Sequence, residues 1–229
     1  MRKDTVLRIT RVKRKLENCT TGILGDSYST FLGYIPEERE CYYPSPERVE
    51  DVLTVEDTWW YQLFMKRNMT LLFNDSWSGS TVCTAVRDCH PPESAFVERM
   101  KQSLAPVNAG QKGPECIFLF GGTNDSWLDR EVGHLTYEDW SAESLRQVLP
   151  AYCYMLDFVT TSNPDAMVFC VLNTQLKVDV HQGILGACSH YGVTAIELHD
   201  INKKCGHPSR LGMRQIAQQI DAALERADV

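Results

Sequence analysis

Apolar residues fall into two kinds of stretch along the chain, and the two alternate. Short runs rich in β-branched and aromatic residues occur at Thr20–Leu24, Thr70–Phe73, Cys116–Phe120, Met167–Leu172 and Val193–Glu197, and runs of this kind bounded by turn formers predict buried strands. Between them apolar positions recur at helical spacing. The clearest case is Pro208–Arg226, where Met213, Ile216, Ala217, Ile220, Ala223 and Leu224 share one face and Pro208 stands at the first turn. A second helix is expected from the capping-box pattern Thr54-x-x-Asp57, with Trp59, Trp60, Leu63 and Phe64 turned inward. Ser94–Leu104, Pro150–Thr161 and Val178–Tyr191 complete the set. Such alternation predicts an α/β fold in which a parallel sheet is covered by helices on both faces. Ligands bind beyond the carboxyl ends of the strands in these sheets, so functional residues are expected just after the strand runs.

Two long irregular stretches, Phe31–Leu53 and Ser78–Pro92, follow strand–turn junctions at that edge, and loops of such length in a compact domain are usually either functional or disordered. Phe31, Tyr34, Tyr42 and Tyr43 make the first an ordered cleft wall by expectation. No linker rich in Pro, Gly or Ser divides the chain, so one domain is expected over residues 19–229, preceded by a basic arm over residues 1–18. That arm conceals how acidic the rest is. The chain carries 23 basic and 30 acidic residues, a formal charge of −7; Met1–Lys15 holds seven of the basic residues and one acidic residue, leaving 16 against 29, or −13. An acidic body argues against a nucleic-acid surface, which needs clustered Lys and Arg. The arm has neither the apolar segment nor the small-residue cleavage site of a secretory signal, and reads as a solvated terminus rather than a targeting or binding tail.

Nine cysteines, an odd number with scattered spacing and no CxxC, predict reduced thiols and a cytoplasmic location rather than a disulfide framework or a zinc site. With 43% hydrophobic and 23% charged residues the chain matches an ordinary globular protein. Its longest apolar runs, such as Cys116–Phe120 and Ala166–Leu172, stop well short of the roughly 18–20 residues of a membrane span.

Polar clusters follow the first three strand runs, and a fourth precedes the last helix. They are Gly25-Asp26-Ser27-Tyr28-Ser29, Asn74 through Thr81 with Gly79 inside it, Gly121-Gly122-Thr123-Asn124-Asp125, and Gly206-His207-Pro208-Ser209. Each alone is ordinary turn or cap chemistry. Jointly they contain what acyl transfer from an ester requires. A hydroxyl nucleophile is weak until a base takes its proton, and Ser27 with His207 supplies that pair if the fold brings them together. The backbone N–H groups of Ser27 and Gly79 and the side-chain amide of Asn124 supply candidate donors for the tetrahedral oxyanion. No Gly-x-Ser-x-Gly elbow is present.

On these residues the chain resembles the SGNH, or GDSL-type, hydrolases (serine esterases and lipases). Gly25-Asp26-Ser27-Tyr28 matches the first block of that family with Tyr in place of the usual Leu, Gly79 the glycine of the second block, Gly122-Thr123-Asn124-Asp125 the third, and His207-Pro208 the histidine of the fifth. The resemblance implies that Ser27 is the nucleophile, and a flavodoxin-like three-layer α/β/α sandwich with a five-stranded parallel sheet. One position departs from the pattern. The fifth block is usually Asp-x-x-His, with the Asp orienting the imidazole, yet residue 204 is Lys. Asp200 or Asn202 could take that role, or a backbone carbonyl could, leaving a Ser27–His207 dyad.

The expected function is hydrolysis of short-chain, acetyl-type esters of a carbohydrate or small molecule, without cofactor, metal, nucleic-acid or membrane partner. Tyr28, Tyr34, Tyr42, Tyr43, Trp77 and Trp127, interleaved with Glu37, Glu38, Arg39, Asp75 and Asp125, suggest aromatic faces and hydrogen-bonding groups suited to a sugar. Two rivals stand beside this reading. The first is a catalytically weak or inactive ligand-binding protein on the same fold, prompted by Lys204; the second is a metal-dependent phosphatase using Asp26 and Asp125, which lacks the carboxylate clusters two metals need. His90, His134, His181, His190 and His199 show no metal-ligand spacing and read as packed or surface residues.

Overall fold

In the computed structural model, which describes residues 16–45, 51–105 and 112–227, five strands form one sheet: β1 (Thr20–Gly25), β2 (Thr70–Ser76), β3 (Cys116–Phe120), β4 (Met167–Leu172) and β5 (Thr194–Glu197). Their order is β2-β1-β3-β4-β5 and every neighbouring pair is parallel, which is the flavodoxin-like order with its switch point between β1 and β3. The helices are α1 (Trp59–Arg67), α2 (Phe96–Ser103), α3 (Thr123–Trp127), α4 (Val148–Ser162), α5 (Val178–Tyr191) and α6 (Arg210–Ala227). Strand side chains point alternately to the two faces, and each face receives its own helices. Ile23, Phe118, Phe120, Phe169, Val171 and Ile196 meet Trp59, Trp60 and Leu63 of α1 and Met213, Ile216 and Ile220 of α6. Leu24, Ile117, Leu119, Val168, Cys170 and Leu172 meet Phe96 and Met100 of α2, Tyr152 and Leu156 of α4, and Ile184 of α5. Two apolar layers back to back on one sheet make the three-layer α/β/α sandwich.

Four differences from the sequence pattern bear on the site. β2 runs past its apolar residues through Asn74, Asp75 and Ser76, which are buried because each finds a polar partner: Asn74 Nδ2 donates to Ser29 O (2.9 Å), Ser76 Oγ to Asn74 Oδ1 (2.6 Å), and Arg99 Nη1 to Asp75 Oδ1 (2.7 Å). Pro208 is not in the last helix. It lies in β7 (His207–Pro208), paired antiparallel with β6 (Lys203–Lys204), and α6 starts at Arg210 with Ser209 Oγ accepting from Gly212 N (3.2 Å). The Thr54 pattern opens a single 3-10 turn, Val55–Asp57, before Thr58 caps α1 by accepting from Tyr61 N (3.3 Å). The short helix α3, directly after the third polar cluster, had no periodic signal because it is one turn long.

The basic arm lies outside the described residues except for 16–18, where Leu16 is buried in the α1/α6 layer and Asn18 N donates to Arg67 O (3.1 Å). All nine cysteines are free thiols. Among the described residues no helix is long and apolar enough to cross a membrane.

Candidate active site

β1 delivers Ser27 from the middle of the sheet. Asp26 N donates to Phe120 O of β3 (3.2 Å), and the chain then closes a 3-10 turn, Ser27–Ser29, capped by Asp26 Oδ1 accepting from Tyr28 N (3.0 Å). Ser29 is gripped by the core: Trp59 Nε1 donates to its hydroxyl (3.2 Å), and Trp60 Nε1 (3.1 Å) and Asn74 Nδ2 (2.9 Å) donate to its carbonyl. The indoles that bury the inner face of α1 therefore also fix the turn carrying Ser27.

His207 arrives differently. It sits on the two-residue hairpin of β6 and β7, with Lys204 opposite it and Cys205-Gly206 at the tip. Both tip residues take positive φ, 45° and 82°, as the tight turn of a right-twisted hairpin demands, and glycine at the second position meets that demand without strain. Tyrosine hydroxyls hold the hairpin from below: Tyr28 Oη donates to Gly206 O (2.6 Å) and Tyr43 Oη to Pro208 O (2.8 Å). Tyr42 stacks on the imidazole with ring centres 3.6 Å apart and planes 12° from parallel, while Trp127 meets it edge-on at 5.9 Å. So held, His207 Nε2 lies 2.9 Å from Ser27 Oγ, and Nδ1 lies 3.3 Å from Cys205 O. A proton on Nδ1 satisfies that carbonyl and leaves Nε2 as the acceptor for the Ser27 hydroxyl, the tautomer a general base needs.

Asp200 is not brought to the ring. It is exposed in a left-handed turn beyond β5 (φ 53°) and makes no hydrogen bond or ion pair with His207, because the intervening residues fold back as the hairpin instead of closing a turn onto the imidazole. Asn202 is committed to the start of α6, with Oδ1 accepting from Ser209 Oγ (2.5 Å) and N–H donating to Gln215 Oε1 (2.8 Å). Lys204 points to Asp51 (3.1 Å), whose other oxygen accepts from Arg210 N (2.8 Å). The residue at the departing position thus ties the histidine hairpin to the loop before α1.

Gly79 and Asn124 lie just beyond β2 and β3, at the same edge of the sheet. Gly79 holds φ +78°, and a Cβ there would lie 2.7 Å from His90 Cε1, so only glycine fits. Asn124 opens α3 and is buried; its Nδ2 donates to Ser80 O (3.0 Å) and its Oδ1 accepts from Arg87 Nη2 (3.3 Å). Among the described residues neither the Ser27 nor the Gly79 N–H has a protein acceptor.

Asp26 and Asp125 are wholly buried, and each accepts from backbone N–H groups. Asp125 accepts from Val82 N (2.9 Å) and Cys83 N (3.1 Å), anchoring the Gly79 loop, and burial raises its pKa. Burial pushes Asp26 up to about 7, against the opposing bond from Tyr28 N. Among the described residues no cluster of His, Cys, Asp or Glu is arranged to hold a metal ion.

Arg99, which sequence reading passed over, is the hub of this edge. It donates to Ser94 O (2.9 Å), Gly25 O (3.1 Å) and Ser80 Oγ (3.1 Å) as well as to Asp75, and burial draws its guanidinium down to about 9. One signal was available: Arg99 shares the core face of α2 with Phe96 and Met100 at helical spacing, and a charge there requires partners. Of the aromatic residues expected to form a sugar platform, Tyr28 and Tyr43 are buried as hydroxyl donors, Tyr42 covers the imidazole, and Trp77 lies under Arg39. Trp127 is left 42% exposed beside His207, and Tyr34 is equally exposed farther along the loop.

A family model described as GDSL-like lipase/acylhydrolase matches residues 19–224. Among solved structures, a protein from Bacteroides ovatus described as a GDSL-like lipase is 37% identical, with 91% of this chain and 98% of that one covered and a TM-score of 0.83. Its counterpart from Bacteroides uniformis is 35% identical over 91% and 96%, also at 0.83. A family 2 carbohydrate esterase with a carbohydrate-binding domain, from Corynascus thermopiles, shares the fold at 15% identity and a TM-score of 0.58, covering 91% of this chain and 66% of its own. No curated protein matches the sequence.

Proposed function

The chain belongs to the GDSL-like lipase/acylhydrolase family, and from that premise we propose that it is a serine esterase acting through an acyl-enzyme. The observation that carries the reading is the 2.9 Å hydrogen bond between Ser27 Oγ and His207 Nε2. Ser27 attacks the ester carbonyl as His207 takes its proton at Nε2; the tetrahedral oxyanion is met by the N–H groups of Ser27 and Gly79 and the free N–H of Asn124 Nδ2. His207 returns the proton to the departing alcohol, and water, deprotonated by the same nitrogen, releases the acid from Ser27. Cys205 O and the stacked Tyr42 ring keep the imidazole in place.

For the substrate we favour a short acyl ester, an acetyl group on a carbohydrate. Trp127 beside His207 offers an exposed indole face for a sugar ring. A cavity of about 540 Å³ runs along β2 between Tyr34, Ile35, Leu72 and Arg39, and neither Ser27 nor His207 lines it, so it is no acyl channel leading from the nucleophile. The family 2 carbohydrate esterases share this fold. A cytoplasmic location fits the nine free thiols. The test is kcat/KM for p-nitrophenyl esters from acetate to decanoate and for an acetylated sugar, beside a Ser27→Ala control. The expected outcome is Ser27-dependent activity highest on acetate. Activity rising continuously with chain length overturns the substrate assignment, because each methylene fitting an apolar pocket adds up to about 1 kcal/mol. Binding of the sugar ester without Ser27-dependent release of acetate favours the ligand-binding alternative.

A further inference from the structure

Arg87 has no place in the chemistry described so far, yet its guanidinium lies against both oxyanion donors outside the Ser27 turn. Its Nη2 donates to Asn124 Oδ1 (3.3 Å), and its Nε would stand 3.5 Å from a Cβ on Gly79. Nε is itself buried and makes no protein hydrogen bond among the described residues. The acidic groups in the neighbourhood are engaged elsewhere: Glu40 with His90 Nε2 (3.1 Å), Asp125 with Val82 N and Cys83 N. No ion pair neutralises Arg87 among the described residues, so its positive field falls on the neighbouring amide and on the space where negative charge develops.

The amide of Asn124 needs such a partner. The oxygen and nitrogen of a primary amide are close in size, so only hydrogen-bond partners decide which way it points. Ser80 O can only accept and so claims one N–H; a guanidinium can only donate and so claims the oxygen. Both ends then agree, and the second N–H of Nδ2 is left for the oxyanion. A cation on the amide oxygen also polarises the group and makes that remaining N–H a stronger donor.

We propose that Arg87 is a positioning residue for transition-state stabilisation, locking and polarising the Asn124 amide. This rests on the esterase reading above and extends it. Arg87→Met should lower kcat for p-nitrophenyl acetate about tenfold or more while KM and the melting temperature stay close to wild type, because the lost interaction matters only when the oxyanion forms. Guanidinium ion at sub-denaturing concentration should restore part of the rate, which it would not do for a residue that merely holds the loop. Arg87→Lys, which keeps the charge and alters the geometry, should fall between. In an Asn124→Ala background Arg87→Met should have little further effect, since a positioning residue acts through its partner. An unchanged kcat in Arg87→Met and Arg87→Lys, or a full and additive loss on top of Asn124→Ala, overturns the proposal while leaving the esterase reading standing. Absence of any Ser27-dependent hydrolysis or fluorophosphonate labelling in the wild type overturns both.

Discussion

Ser27 and His207, the two ends of the 2.9 Å contact, are held by opposite means. Ser27 follows a central strand, and the turn that carries it is bonded to Phe120 of β3, to Asn74 of β2 and to two buried indoles of α1; its position is a by-product of the core. His207 belongs to no layer of the sandwich. It rides a hairpin tip held by the hydroxyls of Tyr28 and Tyr43, the ring of Tyr42 and the Lys204–Asp51 ion pair. On the serine side the side chains that set the geometry are core residues, whereas the imidazole on the histidine side is half-buried and belongs to neither apolar layer. Lys204, where the usual Asp-x-x-His pattern is departed from, lies on this side and ties the hairpin to Asp51.

The comparison can be broken most sharply at its two ends. If His207 is the base, His207→Ala should reduce ester hydrolysis by about a thousandfold with a smaller effect on melting temperature, since the imidazole is half-buried and lies outside the two apolar layers; an equal collapse of the fold would mean that the hairpin is a structural keystone. On the serine side Trp59→Ala should cost about 3–5 kcal/mol in chemical denaturation, because it empties a fully buried site and deprives Ser29 of a donor. Asn124→Ala should lower kcat about a hundredfold with KM little changed, as expected for a donor used in the transition state. Tyr28→Phe removes one hydroxyl bond to the hairpin and should cost about 1 kcal/mol of stability together with a smaller loss of kcat. Asp200→Asn should be neutral in steady-state kinetics; a large fall in kcat would place that carboxylate on the imidazole after all.

Legibility in the sequence follows the same division. The five strands and the helices on both faces were readable because buried parallel strands are continuous apolar runs and surface helices carry a 3.6-residue stripe. Ser27, Gly79, Asn124 and His207 were readable because each lies in a short polar block whose spacing matches a known pattern. The orientation of His207 was not. It depends on Cys205 and Gly206 adopting positive φ and on tyrosines more than 160 residues away in sequence, and no local periodicity reports such contacts. The composition of the loop around Tyr42 and Tyr43 announced an aromatic wall, but two of the rings expected to face substrate support the histidine loop instead. Arg87 and Arg99 were hidden for a related reason: a charge in a loop or helix reads as solvated until the fold buries it among carbonyls and amides.

The central claim is that the Ser27–His207 contact makes this one hydroxyl, among all the serines of the chain, the nucleophile. Intact-mass and peptide mapping after reaction with a fluorophosphonate tests it most directly. The account predicts a single adduct on Ser27, absent from Ser27→Ala and formed at least about a hundredfold more slowly in His207→Ala; an adduct on another serine, or labelling of Ser27 at the same rate without His207, would contradict it.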